Sequence, residues 1–322
     1  MVVGVDLDAG ALHTMRAIGD AGTISGAARA LGTSQPALSQ QLRRLERRLG
    51  TALVERSGRG VRLTEAGEVL ARHGGAVTTA LDAATEEVAS LTGLRAGRVR
   101  LVAFPSSSAT LVPRALALLR ERHPGVRVTF AEAEPPESVA ELRAGRYDLA
   151  VAFSYPGTDV GRGEDVGHLV TRDLVTDELW LALPRGSADD GVTLADLADR
   201  TWIAGCPRCR GHLLQVCADA GFTPEIAYET DDYVAVLGLV AAGLGVAMLP
   251  GLSLDLARHA DVSLHPVRPA TSRTVQAVTT PDLLRVPAVR AALDALEDAA
   301  SRSGSAGSRG STSGRPTRNR RS

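Results

Sequence analysis

The sequence is poor in aromatic residues, in cysteine and in long apolar segments. Aromatic side chains make up only 3% of the 322 residues, so the core must be packed from leucine, valine and alanine. No run of about 18 uncharged apolar residues occurs, which argues against a membrane-spanning helix. Three cysteines do not make a disulfide framework, and no secretory signal precedes the first helix-forming residues. We therefore expect a cytoplasmic protein without a membrane partner.

Lysine is absent, and arginine supplies all 36 basic residues. The net charge of −1 hides an uneven distribution. Residues 1–65 hold nine arginines against six acidic residues, residues 66–300 hold 21 against 31, and residues 301–322 hold six arginines and no acid. Because charge of opposite sign is concentrated in successive segments, the basic ends are the candidates for contact with a polyanion.

Several motifs of enzyme chemistry are also missing. The sequence contains no G-x-S-x-G elbow, no Walker A loop, no H-E-x-x-H and no G-x-G-x-x-G. A hydrolase, a kinase, a zinc protease and a dehydrogenase therefore have no support from a motif. We expect no enzyme activity, no cofactor and no metal site.

A basic amphipathic helix is predicted over residues 35–49. Its leucines repeat at helical spacing and form one apolar stripe: Leu38, Leu42, Leu45 and Leu49. Ser34 is a good N-cap for this helix, and Gly50 is a natural C-terminal stop. Polar residues that can donate or accept hydrogen bonds occupy the other side and the N-terminal end: Ser34, Gln35, Pro36, Ser39, Gln40 and Arg43.

A shorter helix is predicted just before it, over residues 26–31, with Ser25 as its cap and Gly32 as its left-handed exit. Two helices joined by so tight a turn have the dimensions of a helix-turn-helix. In that motif the second helix enters the major groove, where glutamine, serine and arginine read base edges. An ordinary amphipathic helical hairpin is the alternative.

Residues 52–67 then predict a β-hairpin around a Ser-Gly-Arg-Gly turn. Arg56, Arg59 and Arg62 make this hairpin basic. A basic hairpin beside a helix-turn-helix is suited to the minor groove or the phosphates, as a wing. A solvated loop with scattered charge is the alternative.

Residues 7–67 resemble the N-terminal winged helix of the LysR-type transcriptional regulators. The matching words are AARALGTSQPALSQQLRRLE, then LG, then GVRLTEAG. The resemblance implies that residues of the second helix read the major groove and that the wing arginines hold the DNA backbone. The sequence departs from the family at Met15 and Val54, where phenylalanine is frequent, and both changes concern core packing.

A long helix is predicted from the cap Thr64 to about Thr92. Its apolar residues recur every seven positions at Leu70, Val77, Ala84 and Leu91, with Ala66, His73 and Ala80 as a second line. This pattern predicts a coiled-coil arm, and the resemblance implies a homodimer or homotetramer built on it. A long helix packed on its own chain is the alternative.

From residue 98 onward, strands alternate with helices, as in a parallel sheet flanked by helices. The words LRAGRYDLAV and LVAAGLGVAMLP resemble the LysR-type effector domain, which is similar to type-2 periplasmic binding proteins. The predicted fold is therefore α/β overall, with an N-terminal all-α winged helix-turn-helix, a long linker helix and a bilobal α/β domain.

We expect domain boundaries as follows: DNA-binding domain 7–65, linker helix and hinge 66–97, effector-binding domain 98–300 and a disordered basic tail 301–322. Within the effector-binding domain, one lobe is expected at about 98–168 plus 271–300 and the other at about 169–270.

A ligand site is predicted between the lobes. Ser106, Ser107 and Ser108 follow a strand and open a helix, where free N–H groups and hydroxyls suit an anion, with plain capping as the alternative. The resemblance implies that further residues line the cleft: Phe153, Ser154, Gly205, Cys206, Val246 and Met248. We therefore expect a small-molecule effector, a carboxylate or another anion.

The word CPRCRGH contains Cys206, Cys209 and His212, and Cys217 follows. Three interpretations stay open, of which structural cysteines are favoured over a thiol sensor and over a metal site. The sequence as a whole predicts a transcriptional regulator that binds double-stranded promoter DNA under control of the effector. A ligand carrier and an α/β enzyme with an appended DNA-binding domain are the competing classes.

Overall fold

The computed structural model describes residues 7–57, 60–91, 97–158, 169–187, 191–254 and 258–307. Its helices in chain order are α1 (Ala9–Ala21), α2 (Ile24–Ala30), α3 (Gln35–Leu49), α4 (Glu65–Leu91), α5 (Pro105–Ala109), α6 (Leu111–Arg122), α7 (Glu137–Arg143), α8 (Pro207–Asp219), α9 (Tyr233–Ala241), α10 (Gly251–Leu254) and α11 (Pro287–Gly307). Its strands are β1 (Val54–Ser57), β2 (Gly60–Leu63), β3 (Arg98–Ala103), β4 (Arg127–Glu132), β5 (Leu149–Ser154), β6 (Val170–Pro184), β7 (Thr201–Ala204), β8 (Glu225–Glu229), β9 (Val246–Pro250), β10 (Val262–Pro266) and β11 (Ser272–Thr279).

Helix α3 has the predicted bounds. The Ser34 hydroxyl accepts the Ala37 N–H at 3.3 Å, and Gly50 ends the helix in the left-handed conformation with φ 69°. The leucine stripe lies against α1 and α2 in a small core that includes Met15 and Leu53. The apolar stripe is thus what fixes α3, and it leaves the opposite face of the helix to solvent.

The short helix α2 begins two residues earlier than predicted. The Thr23 hydroxyl accepts the Gly26 N–H at 3.0 Å, so Thr23 is the cap and the prediction of Ser25 is wrong. Thr23 follows the left-handed Gly22 and has the extended backbone that a cap requires, whereas Ser25 lies inside the first turn. The exit at Gly32 is left-handed as predicted, with φ 63°.

The predicted hairpin and long helix are present. Strands β1 and β2 pair antiparallel, with Val54 opposite Leu63. The Thr64 hydroxyl then caps α4 by accepting the Gly67 N–H at 3.2 Å. Helix α4 is described over Glu65–Leu91, and the predicted end at residue 92 lies outside the described residues.

Helix α4 is shared between two surfaces. One face packs on its own chain: Leu70 is buried in the N-terminal core, and Gly74 lies so close to α1 that a Cβ would stand 2.3 Å from the Leu12 carbonyl oxygen. The predicted seam is therefore wrong at Leu70, because this side chain belongs to the N-terminal core. His73 and Ala84 are exposed as an outward seam requires, and Val77 is half-buried. Large apolar side chains remain exposed on α4: Val69, Leu81 and Val88.

The C-terminal part is built on one curled sheet of nine strands. Its order is β4-β3-β5-β11-β6-β9-β7-β8, and β10 also pairs with β6. Strand β3 pairs parallel with β4 and β5, and β7 pairs parallel with β8 and β9, as the alternation of strands and helices predicted. Strand β11 is antiparallel to β5 and β6. The 15-residue strand β6 pairs with β11 along its first part and with β9 and β10 along its second. The two halves of the sheet thus share β6, and the crevice between them lies at the ends of their parallel strands.

Two sequence expectations need correction here. The helix expected from residue 105 to 122 is broken at Thr110, because Pro113 lacks an N–H and its ring would clash with the Ala109 carbonyl in a continuous helix. The tail expected to be disordered from residue 301 is helical as far as Gly307, because α11 is already nucleated and packed and adding a residue costs little. Residues 308–322 lie outside the described residues.

The N-terminal helices also touch the turn after α7. Arg16 donates to the Gly145 carbonyl oxygen at 3.2 Å, and Arg146 pairs with Asp20 at 3.2 Å. Gly145 has φ +69°, and a Cβ there would lie 2.3 Å from the Thr79 hydroxyl on α4. This close approach joins the DNA-binding part of the chain to the effector-binding part.

A glycine pair tests this contact. We expect Gly145→Ala to lower the free energy of unfolding by about 2–4 kcal/mol, the cost of a left-handed alanine plus overpacking against α4. Gly157→Ala is the matched control, since Gly157 has φ +78° with no atom within 4 Å of the new Cβ, and only about 1–2 kcal/mol is expected. Urea unfolding measures both. Equal losses would show that the contact with α4 contributes nothing.

Candidate functional site

The predicted reading face of α3 is open to solvent. Five of the six predicted residues are exposed, namely Ser34, Gln35, Pro36, Gln40 and Arg43. The sixth, Ser39, is half-buried. The Gln35 amide donates to the Ser39 hydroxyl at 3.1 Å, which orders two of these side chains one turn apart. The structure thus brings the predicted readers together on one polar surface at the N-terminal end of α3.

In the wing, the hairpin of β1 and β2, an acidic residue already pairs with one of the predicted DNA-binding arginines. Arg62 is exposed, but its guanidinium forms two hydrogen bonds to Glu55 across the hairpin, at 2.5 and 2.9 Å. The hydrogen bond and the charge of Glu55 raise the pKa of Arg62. Part of the predicted phosphate-binding charge is therefore neutralised in the free protein. Arg56 lies on β1 with its side chain outside the described set, and Arg59 lies outside the described residues.

The predicted cleft contains a small cavity of about 30 Å³. It lies between the carboxyl ends of parallel strands and is lined by residues of both halves of the sheet: Glu134, Ile203, Gly205, Cys206, Cys209, Thr230, Asp231, Tyr233, Val236, Met248, Leu249 and Pro250. Gly205, Cys206 and Met248 were predicted from the sequence. A cavity of this size has room for water but not for an organic molecule.

The remaining predicted cleft residues are placed otherwise. Val246 is fully buried in the apolar core and does not line the cavity. Phe153 is also buried, with its ring edge-on to Phe104 at 4.9 Å between centroids. Ser154 is half-buried at the end of β5. Val246, Phe153 and Ser154 are therefore not among the residues that line the cavity.

All three serine hydroxyls are hydrogen-bonded within the protein. The Ser107 and Ser108 hydroxyls donate to the Phe104 carbonyl oxygen at 2.8 and 2.9 Å, and the Ser106 hydroxyl accepts from Arg273 at 2.6 Å. Helix α5, which they open, has only five residues. Their hydroxyls are thus engaged within the protein, but not as helix caps, since α5 has no side-chain cap hydrogen bond.

A buried arginine lies behind the serines. Arg273 is 1% exposed, forms an ion pair with Asp177 at 2.9 Å and lies over the rings of Phe104 and Phe153. Burial lowers the pKa of this guanidinium, but the charge of Asp177 and of neighbouring groups raises it above its ordinary value overall. Arg273 is therefore a fixed positive charge at the base of the cleft.

Two carboxyl groups line the cavity itself. Burial raises the pKa of Glu134 to about 8, and its Oε2 atom has no hydrogen-bond partner among the described residues. Burial also raises the pKa of Asp231. No arginine or histidine stands among the lining residues. The interior thus presents two carboxyl groups, while the positive charge of Arg273 lies behind the serines at its base.

The cysteine pair also lines the cavity. The Cys206 and Cys209 sulfur atoms are 3.0 Å apart, and Cys217 is buried elsewhere on α8. His212 bonds to the Thr271 hydroxyl at 2.9 Å and stacks on Tyr155, so it is not directed at the sulfurs. Within the described ranges, no three His, Cys, Asp or Glu side chains are grouped as a metal site.

Sequence reasoning missed the charged residues of the cleft. Arg273, Asp177 and Glu134 lie on different strands or strand ends and carry no local motif. Tyr155 could have been found, since it directly follows the predicted Ser154. Tyr233 follows the Asp-Asp pair that caps α9, a signal for the helix start but not for the cavity.

Family models match both parts of the chain. The model of the bacterial regulatory helix-turn-helix protein, lysR family, matches residues 10–68, and that of the LysR substrate binding domain matches residues 92–301. The protein is a LysR-family transcriptional regulator: it binds DNA through an N-terminal helix-turn-helix and carries an effector-binding domain. The family consists of regulators and not of enzymes, so the carrier and enzyme alternatives receive no support.

Individual relatives agree. The probable HTH-type transcriptional regulator LrrA of Synechococcus elongatus is 30% identical over 292 residues, which cover 90% of this chain and 96% of that protein. A probable hydrogen peroxide-inducible genes activator of Mycobacterium avium is 38% identical over 249 residues, which cover 74% of this chain and 76% of that protein.

Solved structures share the fold. A full-length OxyR variant from Pseudomonas aeruginosa has a TM-score of 0.70 at 20% identity and covers 90% of this chain and 95% of its own. CbnR, a LysR family transcriptional regulator, has a TM-score of 0.57 at 22% identity and covers 91% and 99%. None of the helices in the described part of the chain has the length and apolar content needed to span a membrane.

Proposed function

We propose that the exposed face of α3 reads base edges in the major groove of an operator. The observation that carries this is the open polar surface from Ser34 to Arg43, held in place by the buried leucines behind it. Glutamine and serine can donate and accept at base edges, and arginine can bind guanine with two hydrogen bonds. The wing lies beside this surface and supplies contacts to the DNA backbone, with Arg62 exchanging Glu55 for a phosphate.

A binding selection tests this function. The purified full-length protein is mixed with genomic DNA fragments at low and at high salt, and the bound fragments are sequenced. We expect one enriched site with two half-sites, which survives higher salt better than random DNA does. Binding that is lost with salt and enriches no sequence would show that the basic N-terminal part only contacts phosphates.

Variants of two arginines on α3 can distinguish sequence-specific contacts to bases from non-specific electrostatic attraction to DNA. Arg43 lies on the proposed reading face, and Arg48 lies about 140° around the same helix, both exposed. We expect Arg43→Ala to weaken operator binding about 10- to 100-fold and to relax sequence preference. Arg48→Ala, which removes the same charge, is expected to change affinity by less than about threefold. Fluorescence anisotropy with operator and random duplexes measures both, and equal losses would contradict the assignment.

We propose that the outward face of α4 joins two copies of the chain. Leu81 and Val88 are exposed there seven residues apart, and large apolar side chains at helical spacing favour a helix partner. A homodimer built on α4, or a homotetramer of such dimers, places two reading helices on paired half-sites. The proposed boundaries are residues 7–65 for DNA binding, 66–97 for the linker and 98–300 for the effector, with lobes at about 98–168 plus 271–300 and about 169–270.

We propose that the effector is a small molecule without negative charge, held in the opened cleft. Glu134 and Asp231 line the cavity, and two of the serines expected to bind an anion donate their hydroxyls to the Phe104 carbonyl oxygen. Neutral or cationic groups that form hydrogen bonds with carboxyls suit such an interior better than a carboxylate does. The partners are thus promoter DNA and this effector, and the cytoplasm is the compartment in which a bacterial regulator meets both.

A further inference from the structure

A C-x-x-C pair stands at the start of α8, at the cavity. Cys206 is the N-cap of this helix, and Cys209 lies one turn further, with the two sulfur atoms 3.0 Å apart. The Cys209 N–H donates to the Cys206 sulfur at 3.4 Å. A disulfide needs sulfurs at about 2.05 Å, so closing the bond requires a shift of only about 1 Å. No other described cysteine takes part in this geometry.

The environment distinguishes the two sulfurs. Cys206 is buried, whereas Cys209 is partly exposed. A hydrogen bond from the Cys206 thiol, the charge of Arg273 and a hydrogen bond from the Tyr155 hydroxyl lower the pKa of Cys209 to about 7, against the effect of burial. The same hydrogen bond, together with burial, raises the pKa of Cys206. Cys209 therefore has the lower pKa of the two and is the sulfur that forms a thiolate, and Cys206 is a thiol placed next to it.

The arginines adjacent in sequence have partners other than these sulfurs. Arg208 donates to the Phe153 carbonyl oxygen at 3.3 Å, and Arg210 pairs with Glu229 at 3.0 Å. The positive charge near Cys209 comes from Arg273, which is distant in sequence and buried with Asp177. The thiolate is thus stabilised by the same charge that lies at the base of the cleft.

Two other uses of the cysteines fit less well. Cys217 lies eight residues beyond Cys209 on the same helix, about 12 Å along its axis, so a bond between them would require α8 to unwind. A metal site lacks a third ligand, because no group of three ligating side chains is present in the described part of the chain. The pair itself remains as the reactive unit.

We propose that Cys206 and Cys209 are a thiol–disulfide redox site in the effector cleft, oxidised by a low-molecular-weight disulfide that reaches Cys209 when the two halves of the sheet separate. The Cys209 thiolate attacks one sulfur of the disulfide RSSR, which forms a mixed disulfide and releases RS⁻. Cys206 gives its proton to this RS⁻ and attacks the Cys209 sulfur, which releases the second RS⁻ and closes the Cys206–Cys209 bond. The pair loses two electrons and RSSR gains them, so the step is balanced.

Oxidation changes interactions that cross the cleft. Tyr155 and Glu134 lie on the other half of the sheet and shift the pKa values of Cys209 and Cys206. A disulfide has neither the negative charge nor the S–H proton on which these interactions depend. The regulatory consequence, a change in DNA binding on oxidation, rests on the proposed function, whereas the redox chemistry does not.

The chemistry is tested on the full-length protein with mixtures of oxidised and reduced glutathione. After acid quenching and alkylation, mass spectrometry identifies each cysteine. We expect the mass of the oxidised protein to fall by two hydrogen atoms, and Cys206 and Cys209 to be protected together from alkylation. The Cys217→Ser variant should give the same result. In Cys206→Ser the reaction is expected to stop at a glutathione adduct on Cys209. A bond involving Cys217, a bond between two chains, or free thiols at every glutathione ratio would overturn the proposal.

The regulatory part has a separate readout. Reduced and oxidised protein are compared in binding to the genomic site found by selection, with Cys206→Ser as the variant that cannot close the bond. Since Cys206→Ser can still form a glutathione adduct, Cys209→Ser, which lacks the attacking thiolate, is measured as well. We expect at least a fivefold change in affinity on oxidation in the unaltered protein and none in Cys209→Ser. A disulfide that forms without changing DNA affinity would confirm the redox site and overturn its link to regulation.

Discussion

Asp177→Ala is expected to lower the free energy of unfolding by about 3–5 kcal/mol. Arg273 is 1% exposed and its guanidinium donates to Asp177 at 2.9 Å, so the variant leaves a buried positive charge without its partner. The Leu252 N–H, which donates to the other Asp177 oxygen at 2.9 Å, loses its acceptor as well. Burial raises the pKa of Asp177 and Arg273 offsets this only in part, so the pair is held by its surroundings and not by attraction alone.

Chemical denaturation of two further variants completes this test. Asp173→Ala removes an exposed carboxylate from the same strand, one that bonds only to Gln276 at 2.7 Å, and should cost less than about 1 kcal/mol. Asp177→Leu combined with Arg273→Met replaces both charges by apolar groups and should recover much of the stability. If Asp177→Ala costs no more than Asp173→Ala, the buried pair does not hold the base of the cleft.

The N-terminal helices could be predicted because their signals are local. Ser34, the leucine spacing and Gly50 each act within a few residues, so the bounds of α3 follow from capping and periodicity alone. The wing shows the limit of that approach. Its strands were predictable, but the pairing of Arg62 with Glu55 depends on the register of the hairpin, which places these two residues opposite each other.

The interior of the cleft could not be predicted, because its groups converge from distant strands. Arg273 reaches Ser106 across 167 positions of the sequence and Asp177 across 96. A serine run at a strand end indicates an anion site when its hydroxyls are free, and only the fold shows that a buried arginine and local carbonyl groups already occupy them. The same holds for Cys209, whose stabilising charge was sought in its neighbours and is supplied by Arg273.

Glu134→Gln is expected to make the protein more stable at alkaline pH and to leave it unchanged at acid pH. The pKa of Glu134 is about 8 in the folded chain, mainly because of burial, against an ordinary value of 4.5. Between these values the unfolded chain has released the proton and the folded chain has kept it, so the free energy of unfolding falls as pH rises from about 4.5 to about 8. Glutamine does not titrate, and its contribution is flat across this range.

The gain in Glu134→Gln should reach a few kcal/mol at most above about pH 8, since one pKa unit corresponds to about 1.4 kcal/mol and solvent reaches part of the side chain. Urea unfolding across the pH range measures it. Glu132→Gln, an exposed change two residues away on β4, is the control and should show no such rise. A constant difference between Glu134→Gln and the unaltered protein at every pH would mean that Glu134 is ionised in the folded state, and the cleft would then be suited to a cation and not to a neutral ligand.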